Sequence, residues 1–133
     1  MAKQRGRGAV GPRQWGRSLN SDMKRGDVVL AHLDPAVGSE AHKTRPCIVV
    51  SNNRATLTSP TVSVVPITSN TARVYPFQVF LPREASGLDL DSKAQAEQIR
   101  TLDRSRLGRQ LGQLGPELLR ELDGALRLHL GLG

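Results

Sequence analysis

The stretch that decides the fold is GSEAHKTRPCIVVSN, residues 38–52. Up to Arg45 it consists of small, charged and hydrogen-bonding residues, which are typical of a loop. Pro46 and the apolar run CIVV (47–50) then predict a buried strand. Because a residue before proline is pushed into an extended conformation, Arg45 projects in a defined direction from the start of that strand. An arginine fixed at the rim of a sheet is well suited to bind phosphate.

Further strand-like segments flank this stretch. Partly alternating, β-branched or aromatic runs occur in GDVVLAHLD (26–34), TVSVVPIT (61–68) and YPFQVFL (75–81). Turn formers such as DPAVGS, SNN and TSNT separate them. The segment DSKAQAEQIRTL (91–102) is mixed in character, and we expect a strand only at its end, QIRTL. The sequence therefore predicts a meander of short antiparallel strands.

The last segment, GPELLRELDGALRLHLGLG (115–133), has a different period. Its leucines recur at steps of three and four residues, which predicts an amphipathic helix packed on the sheet through Leu118, Leu119, Leu122, Leu126 and Leu130. Pro116 suits a first helical turn, and Glu117 favours the N-terminal end of the helix dipole. Strands followed by a terminal helix indicate a small α+β, barrel-like domain.

The chain has 133 residues, enough for one domain with one core. Residues 1–22 contain five basic residues and one acidic residue, and so contribute +4 to the net charge of +7. They lack apolar periodicity, and we expect a disordered basic tail followed by one domain at 23–133. Two interpretations of the tail stay open: a basic arm that touches nucleic acid, or upstream sequence that is not translated because translation starts at Met23.

Composition argues against several kinds of site. The single cysteine, Cys47, excludes an intramolecular disulfide and fits a reducing compartment. The three histidines have no metal-ligand spacing with it, and no glycine-rich phosphate loop or nucleophile elbow is present. No apolar run reaches the length of a membrane span, and no secretory signal is evident. We therefore expect a cytoplasmic protein that uses no metal and no other cofactor.

Polar side chains cluster where the predicted strands end. They are Ser39, Glu40, His42, Lys43, Thr44 and Arg45 before the second strand, Thr68, Ser69 and Asn70 after the third, and Glu97, Gln98, Arg100 and Thr101 around the fifth. Loops at strand ends often carry function, although each residue taken alone also fits a turn former or a solvated charge. The aromatics after residue 22, namely Tyr75, Phe77 and Phe80, are too few for the stacking platforms of sequence-blind single-strand binders. We therefore expect base recognition through hydrogen bonds to base edges.

Three segments carry a family resemblance: KRGDVVLAHLDPAVGSEAHKTRPCIVVSN (24–52), VSVVPITSN (62–70) and LDSKAQAEQIRTLDRSRLG (90–108). In order and spacing they closely resemble the MazF/PemK (Kid-like) toxins of bacterial toxin-antitoxin pairs. The resemblance implies an SH3-like barrel and a homodimer. It also implies a sequence-specific, metal-independent endoribonuclease (mRNA interferase) that cleaves single-stranded RNA and is inhibited by an acidic, MazE-like antitoxin.

The resemblance places the catalytic pair at the arginine of T-R-P, Arg45, and the threonine of P-I-T-S, Thr68. RNA supplies its own nucleophile, the 2′-hydroxyl, so the enzyme must align it, move protons and stabilise charge on the phosphate. Guanidinium and hydroxyl donors suit the last task. A guanidinium stays protonated at neutral pH, so we assign Arg45 electrostatic stabilisation in preference to proton transfer. The implied products carry 2′,3′-cyclic phosphate and 5′-hydroxyl ends.

Other motif positions line the RNA groove in this family, and they correspond here to Ser39, Glu40, Lys43, Ser69, Glu97, Gln98 and Arg100. Glu97 and Gln98 suit base edges, whereas Lys43 and Arg100 suit backbone phosphates. His42 departs from the loop of some relatives, and it is either a group for proton transfer or an exposed loop histidine. For Cys47, which takes the place of an apolar strand residue, we expect a buried structural role.

Two other functions stay open. The gyrase-directed CcdB toxins share this fold and bind a protein instead of cutting RNA, but that activity depends on a C-terminal tryptophan and this chain ends in LHLGLG. The other is a catalytically inactive relative that only binds an antitoxin or RNA, against which the intact Arg45 and Thr68 argue. The fold alone does not decide among these functions.

Overall fold

The computed structural model describes residues 23–133, so the predicted tail at 1–22 lies outside the described residues. In the described part, the strands are β1 (Asp27–His32), β2 (Thr44–Val49), β3 (Thr61–Thr68), β4 (Gln78–Leu81), β5 (Ser92–Gln95), β6 (Arg100–Asp103) and β7 (Leu107–Gln113). The helices are α1 (Asn53–Thr58), α2 (Arg83–Ser86) and α3 (Pro116–Leu130), with short 3-10 turns at Ala96–Gln98 and Arg104–Arg106. None of these helices is both long enough and apolar enough to cross a membrane.

The strands form one antiparallel sheet in the order β4-β5-β3-β2-β1-β7. Strand β3 is the longest, and it has two neighbours on one side: its first half pairs with β6 and its last two residues pair with β5. The meander β1-β2-β3 follows the chain order, as the sequence predicts. The predicted α+β class, an antiparallel sheet with a C-terminal helix, is confirmed.

The central strands bury side chains on both faces of the sheet. In β3, Val62 and Val64 belong to one apolar cluster, whereas Val65 and Ile67 belong to another. Because successive residues of a strand point to opposite faces, the two clusters lie on opposite sides of the sheet. This double burial explains the near-continuous apolar runs of the sequence, since a strand with one solvated face would alternate.

Helix α3 covers one of these faces. Leu122, Ala125 and Leu126 are buried in the same cluster as Val65 and Ile67, so the predicted amphipathic helix is confirmed. The prediction is wrong for Leu130, which is 51% exposed and therefore does not pack on the sheet.

Arg25 ties α3 to the sheet. Its Nε donates to the Val50 carbonyl at 2.8 Å, and its Nη2 pairs with the Asp123 carboxylate at 2.7 Å. The guanidinium therefore joins the segment before β1, the end of β2 and the middle of the helix.

The sequence does not predict two of the strands. Strand β5 reads SKAQ and β7 reads LGRQLGQ, and neither contains a β-branched or aromatic residue. They become strands because β3, β4 and β1 offer them backbone partners. The segment SNN, interpreted as a turn, caps a helix instead: the Asn52 side chain accepts a hydrogen bond from Ala55 N at 2.8 Å and starts α1.

Gly87 and Gly112 allow the backbone after α2 to pack directly against the backbone of β7. Gly87 follows α2 with φ +79°, and a Cβ there would lie 2.6 Å from the Leu111 carbonyl of β7. A Cβ at Gly112 would overlap the Ser86 carbonyl in the same contact. Backbone packs on backbone here, so the sheet curls towards the expected barrel-like shape.

We predict that Gly112→Ala lowers the free energy of unfolding by about 1–3 kcal/mol, because the new methyl group meets rigid backbone and the two ends must separate. The measurement is urea denaturation followed by circular dichroism. Gly124→Ala is the matched control: a Cβ at Gly124 would have nothing within 4 Å, and alanine in the interior of α3 should stabilise by about 1 kcal/mol. Equal effects of the two substitutions would contradict the packing argument.

Candidate functional site

Arg45 and Thr68 face each other across two neighbouring strands. The β2–β3 ladder pairs Val49 with Val64 and Cys47 with Pro66. Continuing that register by two residues on each strand places Arg45 opposite Thr68. Residues opposite each other in an antiparallel pair carry their side chains on the same face. Two residues that are 23 positions apart in the sequence are therefore neighbours at one end of the sheet.

The two side chains line one pocket of about 210 Å³. The other residues lining it are Gly38, Ser39, Glu40, Ala41, His42, Ile67 and Gln95. Four predicted site residues, Ser39, Glu40, His42 and Arg45, thus meet Thr68 here. Gln95 is a pocket residue that the sequence does not single out, because the strand that positions it is one the sequence does not predict.

The hydrogen bonds of the pair leave donors available. Arg45 is half-buried, and its Nε donates to the His42 carbonyl at 3.1 Å. Within residues 23–133 its two Nη groups have no hydrogen-bond partner. Thr68 Oγ1 accepts from Asn70 N at 3.2 Å, which leaves the hydroxyl hydrogen free to donate. The pocket therefore presents a planar cation and a hydroxyl that an anion can bind.

The loop over the pocket is held by Gln98. Its Oε1 accepts a hydrogen bond from Ala41 N at 3.0 Å, and its Nε2 donates to the Ser39 carbonyl at 3.2 Å. A second bond inside the loop, from Val37 N to Glu40 Oε1 at 2.8 Å, orients the glutamate. Since the same loop supplies the carbonyl that holds Arg45, Gln98 supports the guanidinium from a distance.

Glu97 lies apart from this pocket. Its Oε2 accepts from Gln78 Nε2 at 2.7 Å, and Gln78 in turn accepts from Tyr75 N at 3.1 Å. The other oxygen, Oε1, is buried and has no partner in the described part of the chain. Glu97 therefore connects the 3-10 turn after β5 to the segment that precedes β4.

The remaining predicted site residues are dispersed. Lys43 is exposed at φ +66°, where its backbone closes the β1–β2 loop by accepting from Leu33 N at 2.8 Å. Arg100 is half-buried on β6. Ser69 lines a second pocket of about 440 Å³, which also includes Arg45 and Arg109. The structure thus groups Ser69 with the arginine and leaves Lys43 outside both pockets.

Cys47 lies two residues after Arg45 and is fully buried. Desolvation raises the pKa of the Cys47 thiol to about 12, with the Arg100 charge lowering it by a smaller amount. The predicted buried position is confirmed. A thiol in this environment stays protonated near neutral pH and is a poor nucleophile.

Across residues 23–133 there is no group of three or more histidine, cysteine, aspartate or glutamate side chains that could hold a metal ion.

We predict that Gln98→Ala speeds hydrogen exchange of the Ala41 amide by at least about fivefold. The variant loses the hydrogen bond on that amide, worth about 1 kcal/mol, and the second bond of Gln98, to the Ser39 carbonyl. Amides of β2 and β3 should keep their protection. Gln95→Ala is the control, because it lines the same pocket and makes no hydrogen bond to the loop in the described residues. A slow Ala41 amide in the Gln98 variant would show that the loop is held by other contacts.

Native Cys47 should resist a disulfide reagent such as DTNB at pH 8 and react rapidly in denaturant, since it is buried and its pKa is raised. The unfolded thiol ionises from about pH 9, whereas the folded thiol ionises only near pH 12. The free energy of unfolding therefore falls as the pH rises from 9 to 12. Rapid labelling of the native protein would contradict both statements.

Comparison with known proteins places this architecture in a family. The model described as PemK-like, MazF-like toxin of type II toxin-antitoxin system matches residues 24–130. The chain is 50% identical over 115 residues to endoribonuclease MazF9 of Mycobacterium tuberculosis (strain ATCC 25618 / H37Rv), covering 83% of this chain and 98% of that protein.

Solved structures agree with this assignment. MazF from Deinococcus radiodurans superposes with a TM-score of 0.71 at 32% identity, covering 82% of this chain and 96% of that one. An endoribonuclease from a mycobacterial species, solved in complex with its cognate antitoxin, superposes with a TM-score of 0.68 at 28% identity, covering 84% and 97%. The chain therefore belongs to the PemK-like, MazF-like toxins of type II toxin-antitoxin systems.

Proposed function

We propose that this chain is an endoribonuclease toxin that cleaves single-stranded RNA at a specific sequence without a metal ion. The observation that carries the proposal is the cross-strand pair of Arg45 and Thr68 in one polar pocket. Family membership and the relatives named as endoribonucleases support it. A phosphodiester carries one negative charge, and a guanidinium with two free Nη groups matches its oxygens in shape and charge.

The reaction is a transfer of the phosphate within the RNA. The 2′-oxygen attacks the adjacent phosphorus, the bond from phosphorus to the 5′-oxygen breaks, and the products are a 2′,3′-cyclic phosphate and a 5′-hydroxyl. Negative charge grows on the non-bridging oxygens in the transition state. Arg45 and the Thr68 hydroxyl donate to those oxygens, and they are already oriented, so little reorganisation is needed during the reaction.

One proton must leave the 2′-hydroxyl and another must reach the departing 5′-oxygen. His42 and Glu40 line the pocket and are the groups there that suit proton transfer. The Glu40 carboxylate is held in place because its Oε1 accepts from Val37 N. We assign His42 the role of proton carrier, which takes the proton of the 2′-hydroxyl and then returns a proton to the departing 5′-oxygen, and we assign Arg45 an electrostatic role.

The remaining motif residues contribute to binding RNA. Ser39 and Ser69 line the two pockets that share Arg45, so they contact nucleotides next to the cleaved bond. Lys43 and Arg100 supply charge for backbone phosphates. Glu97 and Gln98 are engaged in protein hydrogen bonds. Gln98 keeps an oxygen lone pair and an N–H for a base edge, whereas Glu97 can read one only if its buried Oε1 becomes exposed.

The partners follow from the same assignment. An acidic antitoxin segment would compete with RNA for the larger pocket, where Arg45 and Arg109 supply positive charge beside the apolar Leu88 and Leu111. We further propose a homodimer that acts on mRNA in the cytoplasm. Residues 1–22 are either a basic arm or untranslated sequence.

Arg45→Ala should reduce RNA cleavage by at least 100-fold, the typical cost of losing a preorganised donor to transition-state charge, and Thr68→Ala should also reduce it, by a smaller factor. The assay incubates the full chain with a long single-stranded RNA in the presence of a chelator, and maps the ends of the fragments. Arg120→Ala is a control for the loss of one positive charge, because Arg120 is exposed on α3 and lines neither pocket, and this variant should keep its cleavage activity. A DNA of the same sequence should stay intact because it lacks the 2′-hydroxyl.

An Arg45→Ala variant that still cleaves would overturn its assignment. If well-folded wild-type protein leaves every RNA intact, the enzyme proposal falls. Binding to gyrase would then favour a CcdB-like poison, and binding to the antitoxin alone would favour an inactive regulator.

A further inference from the structure

The segment between β3 and β4 forms a small aromatic and cationic cluster, which we call the Tyr75 platform: Arg73, Tyr75, Phe77 and Lys93. The rings of Tyr75 and Phe77 stack with centroids 5.3 Å apart and an interplanar angle of 1°. The Arg73 guanidinium lies 5.5 Å from the Tyr75 centroid, and Lys93 Nζ lies 5.9 Å from it. Tyr75 is 41% exposed, so part of this stacked surface faces solvent.

The platform is built before any ligand arrives. Arg73 Nη1 donates to the Tyr75 hydroxyl at 3.1 Å, and the buried Lys93 ammonium donates to the Arg73 carbonyl at 2.6 Å. The Tyr75 backbone N–H donates to Gln78 Oε1, and Gln78 is bound to Glu97. Four hydrogen bonds therefore fix Tyr75 and the two cations to the sheet, and Phe77 stacks on the Tyr75 ring.

Strand register places the platform beside the proposed catalytic pair. Lys93 on β5 is the direct partner of Thr68, whereas Thr68 lies opposite Arg45 on its other side. Arg45, Thr68 and Lys93 thus form one row across three strands with side chains on the same face. An RNA strand whose phosphate is bound by Arg45 and Thr68 has a neighbouring nucleotide within reach of the platform.

We propose that the Tyr75 platform is a base-stacking site for a nucleotide adjacent to the cleaved phosphate, an inference that rests on the proposed function. The occupant is a nucleobase, since its flat π-face matches the exposed part of a parallel aromatic stack. The phosphate attached to the same nucleotide is attracted by Arg73 and Lys93.

The sequence predicts no stacking site, because its three aromatics after residue 22 are too few, whereas the structure stacks Tyr75 on Phe77. The chain brings two of them together around Pro76, and the sheet supplies Lys93 from a distant segment. Stacking tolerates any base, so the platform adds affinity at one position while hydrogen bonds elsewhere select the sequence.

The test uses an RNA that contains the cleavage sequence, with a 2′-deoxynucleotide at the cut position so that it binds without reacting. The fluorescent base 2-aminopurine is placed in turn at each flanking position. Quenching on binding to the full-length wild-type protein should be strongest at one position next to the cut. Tyr75→Leu should remove that quenching and weaken RNA binding by about 5- to 150-fold, the range for one stacked base.

Two variants serve as controls. Tyr75→Phe keeps the ring and should retain both quenching and affinity within about threefold. Leu57→Ala removes an apolar side chain that is 58% exposed on α1, before the start of β3 and away from the platform, and it should leave the quenching in place. Thermal unfolding of each variant checks that the fold is intact.

Loss of base stacking and loss of ribonuclease activity give different results in these experiments. If wild-type protein cleaves natural RNA but Tyr75→Leu quenches and binds as the wild type does, the platform is refuted and the ribonuclease stands. Equal loss in the Tyr75→Leu and Leu57→Ala variants also refutes it, since the effect would then come from general surface apolarity. If wild-type protein neither binds nor cleaves any RNA, both the function and the platform fall.

Discussion

The antiparallel register between β2 and β3 is the constraint on which the site depends. It sets Arg45 opposite Thr68, and the same strand, β3, sets Thr68 opposite Lys93 on its other edge. A slip of one residue would move every side chain of β2 to the other face of the sheet. Both faces of these strands are packed in apolar clusters, so such a slip would expose or misplace valines on both sides. The double burial that makes the strands hydrophobic therefore also secures the polar row at their end.

The pocket is an assembly of segments that are distant in sequence. Strands β2 and β3 supply Arg45 and Thr68, the 38–42 loop covers them, and Gln98 from the turn after β5 holds that loop by two hydrogen bonds. The same loop supplies the His42 carbonyl, which accepts a hydrogen bond from Arg45 Nε. Each contact is worth only about 1 kcal/mol, but together they limit the orientations of a side chain that would otherwise sample many rotamers.

The positions of the positive side chains matter more for binding an anion than the net charge of the chain does. Residues 23–133 carry a net charge of only +3 out of the +7 of the whole chain, which is modest for a protein that binds a polyanion. Arg45 and Lys93 nevertheless belong to one cross-strand row, and Arg73 is bound to Lys93 through its carbonyl. Positive groups held close together on a folded surface create a local potential that the net charge does not reveal.

The sequence by itself determined the elements whose residues favour them strongly. Strands β1 to β4 and helix α3 follow from β-branched or aromatic runs and leucine spacing, and β6 follows from the segment QIRTL. The motifs T-R-P and P-I-T-S single out Arg45 and Thr68. Only the tertiary structure decided strands β5 and β7. Their residues have no intrinsic strand preference, and they become strands because they pair with neighbouring strands. Gln95, the clamp of Gln98 and the Tyr75 platform depend on those strands. Periodicity and propensity are local properties, whereas these sites arise from register between segments far apart in the chain, which no local pattern encodes.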